Sequence, residues 1–327
     1  MSKVTAKAPA NIAFIKYWGK KDEALRLPLN SSLSMNLSHV FTLTTVDFLS
    51  DLAEDEIEMG GEKLVGEEAE RIIEHLERVR KLASIKLKAK VKTKNNFPKG
   101  TGIASSASGF AALTLASTKA AGLNLSEKKL SILARLGSGS ACRSIPDGFV
   151  EWLKGNSHQT SYAHSLYPPD YWDLVDIIAV VTKKGKKVSS AEGHGRAESS
   201  LFLSARVRAM GAKVRLLKKT FKEKNFTKLG EIIEEETLNM HAVMMTSKPS
   251  IIYWLPKTIQ LMLAIRQWRQ EGLESYFTID AGATVHIICL KKDAGKIKEK
   301  VLRLRGIDRV IVNYPASGAK LVKSYLF

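Results

Sequence analysis

Alternating hydrophobic and polar residues divide the chain into strands and helices that follow one another. Between residues 85 and 94, apolar residues and threonine occupy the odd positions and lysines the even positions, which is the two-residue period of a strand with one face in water. Runs of β-branched residues predict further strands over 41–48, 175–182, 284–290 and 310–314. A helical repeat predicts helices over 67–83, 104–121, 127–136, 196–221, 228–245 and 258–271.

This order of elements is typical of an α+β protein. The weakest point in the middle of the chain is a polar, glycine-containing turn at 183–187 (KKGKK), the kind of segment in which domain boundaries fall. We therefore expect two domains, 1–185 and 186–327. The closing strand–helix–strand pattern, over 276–290, 293–304 and 310–314, favours an α+β C-terminal domain.

Composition narrows the class of protein. The chain has 327 residues, 51 Lys and Arg against 33 Asp and Glu, a formal charge of +18, and two cysteines, Cys142 and Cys289. Two unspaced cysteines argue against a disulfide scaffold or a zinc site. Since the sequence also lacks a long apolar run, we expect a cytoplasmic protein with no membrane partner. The basic excess fits a nucleic-acid partner, an anionic substrate or a solvated surface.

The segment 95–109 (NNFPKGTGIASSASG) has the chemistry of an anion site. Gly100 and Gly102 let the backbone approach a ligand, while Ser105 and Ser106 offer hydroxyls where a predicted helix begins. Free amides at a helix N-terminus attract phosphate. The segment matches neither the Walker A nor the GxGxxG pattern, and a turn with helix-capping serines stays an alternative.

A second cluster, 137–144 (GSGSACRS), contains Arg143 among glycines and hydroxyls. A guanidinium in this setting suits a carboxylate or a phosphate. The alternative is a helix C-terminus with a surface ion pair.

Two further positions combine charge with an apolar setting. Asp280 ends an apolar strand before Ala281 and Gly282, where it could orient or deprotonate a hydroxyl; the alternative is a hairpin turn. Lys16 lies in an apolar run within 8–20 (APANIAFIKYWGK), although lysine is seldom buried without a partner. A side chain that reaches solvent from an edge strand is the alternative there.

Taken in order, these motifs closely resemble the mevalonate diphosphate decarboxylases, which belong to the superfamily of galactokinase, homoserine kinase, mevalonate kinase and phosphomevalonate kinase. The resemblance runs from Ala8 to at least Ala283 and includes LPLNSSLSMNL, GFVEW, KKVSSAEG, EEETLNMHAVM and FTIDAG. It implies an N-terminal domain like the second domain of ribosomal protein S5, a ferredoxin-like C-terminal domain and an active site between them. It also implies ATP-dependent decarboxylation of a 5-phosphorylated mevalonate to an isopentenyl product, with Mg²⁺, in a homodimer.

The resemblance assigns roles to individual residues. Asp280 matches the catalytic aspartate that acts on the C3 hydroxyl, Arg143 the arginine that holds the C1 carboxylate, and Asn11 a residue that helps to orient it. Lys16 is placed with these catalytic residues. The substrate and its phosphate tail would be contacted by Tyr17, Lys20, Arg71, Ser138, Gly139, Ser140, Ser190 and His194. ATP would be bound by Lys99, Gly100, Gly102, Ala104, Ser105 and Ser106, with Ser106 also near the metal ion.

Three positions depart from the family pattern. The motif DAGPN reads DAGAT here, His194 replaces a usual methionine, and Ala191 replaces the arginine with which bacterial members commonly reach the diphosphate. The last two changes leave 5-phosphomevalonate open as an alternative substrate, although Lys186, Lys187 or His194 could compensate. A kinase that stops at phosphorylation and a basic nucleic-acid-binding protein also stay open as alternatives. Because no basic patch interleaved with aromatic residues supports the last of these, we expect no nucleic-acid partner. The presence of Asp280 argues against assignment of the protein to the mevalonate 3-kinases, which lack this aspartate.

Overall fold

The computed structural model describes residues 2–97, 105–182 and 184–327. Its strands are β1 (Val4–Ile15), β2 (Lys20–Asp22), β3 (Leu27–Pro28), β4 (Ser32–Leu49), β5 (Glu56–Met59), β6 (Glu62–Lys63), β7 (Lys88–Asn95), β8 (Phe149–Trp152), β9 (Ala163–Tyr167), β10 (Leu174–Val180), β11 (Ser275–Thr278), β12 (Val285–Leu290), β13 (Arg309–Asn313) and β14 (Lys320–Val322). Its helices are α1 (Glu67–Ala83), α2 (Ser105–Ala120), α3 (Glu127–Gly137), α4 (Ser190–Arg196), α5 (Leu203–Glu223), α6 (Phe226–Thr246), α7 (Pro256–Gln270) and α8 (Ala294–Arg303).

Two large sheets organise the described part of the chain, and β2 and β3 form a separate two-stranded sheet. The N-terminal sheet has the order β14-β1-β4-β7-β5-β6, with β8 and β9 attached to β4, and the C-terminal sheet has the order β11-β12-β10-β13. Helices and sheets are thus segregated, so the expected α+β class is confirmed. In β7 the odd positions Ala89, Val91 and Thr93 are buried, as the alternation predicted.

The three largest apolar clusters among the described residues form most of the core. One joins the N-terminal sheet to α1, α2 and α3, and another joins the C-terminal sheet to α7 and α8. Between them, residues of β1 and β4 such as Phe14 and Met35 pack with Phe221, Ile233 and Tyr276. The two halves of the chain therefore share buried apolar surface, which favours a fixed relative position.

The sheets group the chain differently from the expected division at residue 185. Strand β10, which precedes that residue, pairs with β12 and β13, and β14 returns to pair with β1. The ranges 1–185 and 186–327 stay a prediction, and the strand pairings favour a division ahead of β10.

The helix expected over 196–221 is wrong in its first part. The structure has the short α4, a 3₁₀ turn over Ala197–Ser199 and only then α5. Ser200 adopts an extended backbone conformation, and the hydroxyl of Ser199 donates to the carbonyl of Arg196 at 2.6 Å. Serine side chains compete with helical hydrogen bonds in this way, which interrupts the repeat. No helix in the described ranges is both long enough and apolar enough for a membrane span.

Candidate active site in the cleft between the two sheets

A cleft of about 1520 Å³, its open mouth included, lies between the two halves of the molecule. Residues from distant parts of the sequence line it, which is the usual setting of a small-molecule site. The predicted site residues that line it are Lys16, Tyr17, Lys20, Arg71, Ser105, Ser106, Ser138, Gly139, Ser140, Arg143, Ser190, His194 and Asp280. Asn11 lies behind Arg143, while Lys99, Gly100, Gly102 and Ala104 fall outside the described residues.

A buried ion pair occupies the deep end of the cleft. The Nζ atom of Lys16 lies 2.6 Å from Oδ1 of Asp280, and the side chains are 1% and 22% exposed. Strand β1 ends just before Lys16, and β11 ends two residues before Asp280. The ends of the two strands thus place one charged side chain each at the same point. The interpretation of Lys16 as a side chain that reaches solvent is wrong.

The pKa values of this pair reflect burial and mutual attraction. Burial alone would raise the pKa of Asp280, but the charge and hydrogen bond of Lys16, with smaller contributions from His286 and Arg143, outweigh it and lower the pKa. Burial lowers the pKa of Lys16, and Asp280 opposes that effect. Asp280 is therefore held as an anion.

The backbone at Lys16 is fixed by a buried polar network. Glu236 in α6 accepts a hydrogen bond from the backbone N–H of Lys16 at 3.2 Å and forms an ion pair with Arg206 of α5. Arg206 donates to the carbonyl of Lys16 at 3.1 Å, and so does Asn30 at 3.0 Å. Because a buried ion pair is costly to leave half-satisfied, this network strongly constrains where Lys16 lies.

Asp280 is held from the opposite side. His241 of α6 contacts the carbonyl oxygen of Asp280 through Nε2 at 3.2 Å, and its ring stacks on Trp254 with centroids 4.6 Å apart. Burial, followed by the charge of Lys16, lowers the pKa of His241 to about 3. A neutral ring that donates from Nε2 positions the Asp280 backbone without adding charge.

Arg143 is aimed into the cleft by hydrogen bonds from behind. Its Nε donates to Oδ1 of Asn11 at 3.0 Å, and its Nη1 donates to the hydroxyl of Ser32 at 2.8 Å. The amide of Asn11 in turn donates to the hydroxyl of Ser144 at 2.8 Å. A register shift in β1 between Pro9 and Asn11 accompanies this placement, as β-bulges commonly do near functional sites. Asn11 is thus a positioning residue for the guanidinium.

The shallower end of the cleft is a hydroxyl-rich turn against an aromatic wall. Ser138, Gly139 and Ser140 begin a 3₁₀ turn after α3. A Cβ atom on Gly139 would lie 2.6 Å from the ring of Tyr17, so only glycine permits this approach. The ring of Tyr17 packs in turn on His194, with centroids 4.2 Å apart.

Cations surround this shallow end. Lys186, which donates to the hydroxyl of Ser190 at 2.6 Å and the carbonyl of Ala281 at 2.9 Å, lines it together with Lys20. Arg26 and Arg71 line it from the N-terminal half. Burial lowers the pKa of Lys186 to about 8, with Asp280 opposing. Several cations that face one cleft create a field suited to a polyanionic ligand.

His194 contributes a neutral donor at the same place. Its Nδ1 lies 3.0 Å from the backbone nitrogen of Gly19, which can only donate. The ring proton therefore belongs to Nε2. Burial, and then the charges of Lys20 and Lys186, hold the pKa of His194 well below its usual value. His194 thus offers an N–H group and no positive charge.

A second, largely apolar cavity adjoins the cleft. It has a volume of about 620 Å³, its mouth included, and it is bounded by α1, β7 and α2. Glu68, Arg71, Ser105 and Ser106 line both spaces, so the two are continuous. An apolar chamber that opens onto hydroxyls and a cation suits a planar base joined to phosphates.

Sequence reasoning missed several residues that hold or line the site. Glu236, Arg206 and His241 lie in helices α5 and α6 and act through Lys16 and Asp280. A charged residue inside a helical repeat resembles ordinary surface decoration until its partner is known. The sequence indicates a role for Arg26 only weakly: it is a basic residue that follows a short acidic stretch in a turn.

The fold and the cleft define a two-domain enzyme that joins a nucleotide-type cavity to a polyanion site. A family model described as the diphosphomevalonate decarboxylase-like N-terminal domain matches residues 8–163, and one described as the mevalonate 5-diphosphate decarboxylase C-terminal domain matches residues 176–317. The chain belongs to the diphosphomevalonate decarboxylase family.

Individual relatives agree with this assignment. The chain is 33% identical to the phosphomevalonate decarboxylase of Haloferax volcanii over 91% of this chain and 92% of the relative. It is 35% identical to the diphosphomevalonate decarboxylase of Candida albicans over 86% and 83% of the two chains. The mevalonate diphosphate decarboxylase of Staphylococcus aureus superposes with a TM-score of 0.94 and 39% identity over 98% of both chains. MDDEF in complex with MVAPP, AMPPCP and magnesium superposes with a TM-score of 0.92 and 38% identity over 98% and 99% of the two chains.

Proposed function

We propose that this protein catalyses the ATP-dependent decarboxylation of a 5-phosphorylated mevalonate. The observation that carries the proposal is the convergence of Asp280, Lys16 and Arg143 at the deep end of one cleft. A carboxylate beside a guanidinium suits a substrate with a hydroxyl and a carboxylate on neighbouring carbons. Family membership supports the same reaction.

In the first step the C3 oxygen forms a bond to the γ-phosphorus of ATP, the bond from that phosphorus to the bridging oxygen breaks and ADP leaves, and the hydroxyl proton passes to the solvent. Asp280 accepts a hydrogen bond from that hydroxyl and orients it. Because Lys16 lowers the pKa of Asp280, the carboxylate is a weak base. Phosphoryl transfer is largely a matter of positioning and charge, since its transition state is loose. Before the hydroxyl proton leaves, the main contribution of Asp280 is therefore to orient the C3 hydroxyl group.

The second step breaks two bonds and forms a double bond. The C3–O bond breaks and phosphate leaves with the electron pair, so positive charge develops at C3. The electrons of the C1–C2 bond then form the C2–C3 double bond and carbon dioxide departs. Asp280 is an anion near the developing cation. Arg143, held by Asn11 and Ser32, keeps the C1 carboxylate aligned for cleavage.

The residues present fit ATP and Mg²⁺. The apolar cavity beside α2 suits the base, and Ser105 and Ser106 lie where it opens into the cleft. Within the described ranges no cluster of three acidic, histidine or cysteine side chains could hold a metal by itself. The hydroxyl of Ser106 would hold Mg²⁺ together with the nucleotide phosphates, as this ion prefers. The bound ion would neutralise charge on the transferring phosphoryl group.

The 5-diphosphate is the substrate that the cleft fits better. Lys20, Arg26, Arg71 and Lys186 all line the shallow end, and Ser138 and Ser140 add hydroxyls. A diphosphate carries about one more negative charge than a monophosphate near neutral pH, and additional cationic contacts favour it. The alanine at position 191 removes one family cation, but these four remain.

One steady-state experiment tests the reaction and the substrate together. Carbon dioxide and ADP are measured with ATP, Mg²⁺ and either 5-diphosphomevalonate or 5-phosphomevalonate. We expect equal amounts of both products and a higher kcat/KM for the diphosphate. ADP without carbon dioxide would show a kinase, and a higher kcat/KM for the monophosphate would assign the protein to the phosphomevalonate branch.

A homodimer and a cytoplasmic location complete the proposal. Both rest on the family resemblance. Sedimentation equilibrium of the purified protein tests the dimer, for which a single species of the monomer mass is the contrary result.

A further inference from the structure

Arg26 occupies a distinctive position in the cleft. It lies in the turn between β2 and β3, is half-buried and lines the cleft. Its backbone has φ of 49°, in the left-handed region that residues other than glycine rarely adopt. Its Nε donates to the carbonyl of Leu136 at 3.0 Å, just before the turn that carries Ser138 and Ser140.

The pKa values of neighbouring residues show where the positive charge of Arg26 acts. After burial, Arg26 is the next largest cause of the lowered pKa of Arg71. Its charge also contributes to the lowered pKa of His194 and opposes the effect of burial on the pKa of Tyr17. The positive charge of Arg26 therefore acts on three residues that line the shallow end from different elements.

Arg26 differs in its partners from the two lysines at the same end of the cleft. Lys20 forms an ion pair with Glu23, and Lys186 is bound by a hydroxyl and a carbonyl. Within residues 2–97, 105–182 and 184–327, the side chain of Arg26 forms no ion pair, and the one hydrogen bond that this side chain makes uses Nε. The two Nη groups are the part of a guanidinium that binds a phosphate in bidentate fashion.

We infer that Arg26 binds the terminal phosphoryl group of the substrate's 5-diphosphate tail and so determines selectivity against the monophosphate. The inference rests on the proposed function, which it deepens. Repulsion between Arg26 and Arg71 disfavours the empty cleft, and an anion between them relieves it. The opposite wall presents Ala191, which carries no charge, so Arg26 supplies a cationic contact from the N-terminal half instead.

A purely structural role is the competing explanation. The bond from Arg26 to Leu136 places a cation near the C-terminal end of α3, which by itself stabilises a helix. That role predicts lower thermal stability and equal losses on both substrates. Binding of the terminal phosphoryl group predicts a loss that depends on the substrate.

The variant Arg26→Asn separates these explanations, because asparagine tolerates the left-handed backbone and carries no charge. Lys21→Gln is the matched control: it removes one charge from the same hairpin, at an exposed position that does not line the cleft. Arg26→Lys keeps the charge and loses the planar guanidinium. For each variant and the parent, kcat and KM are measured with both phosphorylated mevalonates, together with the KM for ATP and the Tm.

We expect Arg26→Asn to lower kcat/KM for the diphosphate by about tenfold to a hundredfold, mainly through KM. The monophosphate should lose much less, Lys21→Gln should match the parent, and Arg26→Lys should fall between. Equal losses on both substrates, or no loss, would overturn the inference, as would a parent that accepts only the monophosphate. A parent that releases carbon dioxide from neither substrate would instead refute the proposed function itself.

Discussion

The two ends of the cleft contain similar cationic residues, but these residues have different partners. At the deep end, Lys16 is paired with Asp280, and Arg143 is bound by Asn11 and Ser32. At the shallow end, Arg26 and Arg71 donate to backbone carbonyls, and in the described part of the chain neither forms an ion pair with an acid. The deep end pairs its lysine with an acid and holds its cations tightly in place, whereas the shallow end carries more positive charge.

This contrast shows how binding and chemistry are divided along one substrate. A reacting centre requires fixed geometry, which satisfied hydrogen bonds provide. A phosphate tail requires attraction, which unpaired cations provide over a longer range. Substitutions at the deep end should therefore reduce kcat, and those at the shallow end should mainly raise KM.

Replacement of the deep-end carboxylate should have the largest effect. Asp280→Asn keeps the shape but removes the anion, and it leaves the buried Lys16 without its counter-charge. We expect kcat to fall by about a thousandfold or more while ATP binding stays nearly intact. Single-turnover rates and nucleotide titrations check this, with the exposed Asp51→Asn as the control. Comparable rates for variant and parent would refute the role of Asp280.

The shallow end should respond to alkaline pH. Because the pKa of Lys186 is about 8, we expect kcat/KM for the diphosphate to fall as the pH rises through that value and the cation is lost. The variant Lys186→Met should have a lower kcat/KM and lack this descending limb. A limb that persists in the variant would assign the titration to another group.

The lowered pKa of Lys186 also makes the free energy of unfolding depend on pH. Lys186 binds its proton less tightly in the folded state than at its usual pKa of 10.5. The unfolded state thus binds more protons between these values, and this residue makes the free energy of unfolding rise from pH 8 to 10.5. The difference between parent and Lys186→Met in denaturant titrations over this range measures the contribution.

Replacement of His194, the neutral hydrogen-bond donor, should have the smallest effect on kcat/KM. His194→Met replaces an N–H group with an apolar side chain, so we expect kcat/KM to fall by about two- to tenfold, which is typical of one uncharged hydrogen bond. His194→Gln, which keeps a donor, should recover part of the loss. Since His194 is neutral, the ratio of parent to His194→Met should stay constant between about pH 6 and 7.5, and a change in that ratio would show a charged ring.

The predictable part of the molecule is local in sequence. The helix over 67–83 has the predicted bounds, and β7 shows the predicted burial at Ala89, Val91 and Thr93, because periodicity reports which face of an element is buried. The motif residues Asp280, Arg143 and Lys16 share one cleft, as the family resemblance implied.

The residues that hold these side chains could not be predicted in the same way. Glu236 lies 220 positions from Lys16 in sequence, yet it accepts a hydrogen bond from the Lys16 backbone. Such a contact depends on how two domains meet, and local propensity carries no information about that. The basic surplus was similarly ambiguous: Lys90 and Lys92 pair with Glu56 and Glu58 on an exposed sheet face, while Arg26 faces the cleft.

The return of β14 to the edge of β1 affects the order in which the molecule can form. Lys7 pairs with Lys320, near the other end of the chain. A ribosome adds residues one at a time, so the N-terminal sheet keeps an open edge while the whole C-terminal half is synthesised. Closure of that edge is thus a late event with a large loop to bring together. Until then, the exposed edge of β1 is a site where a nascent chain could associate with another.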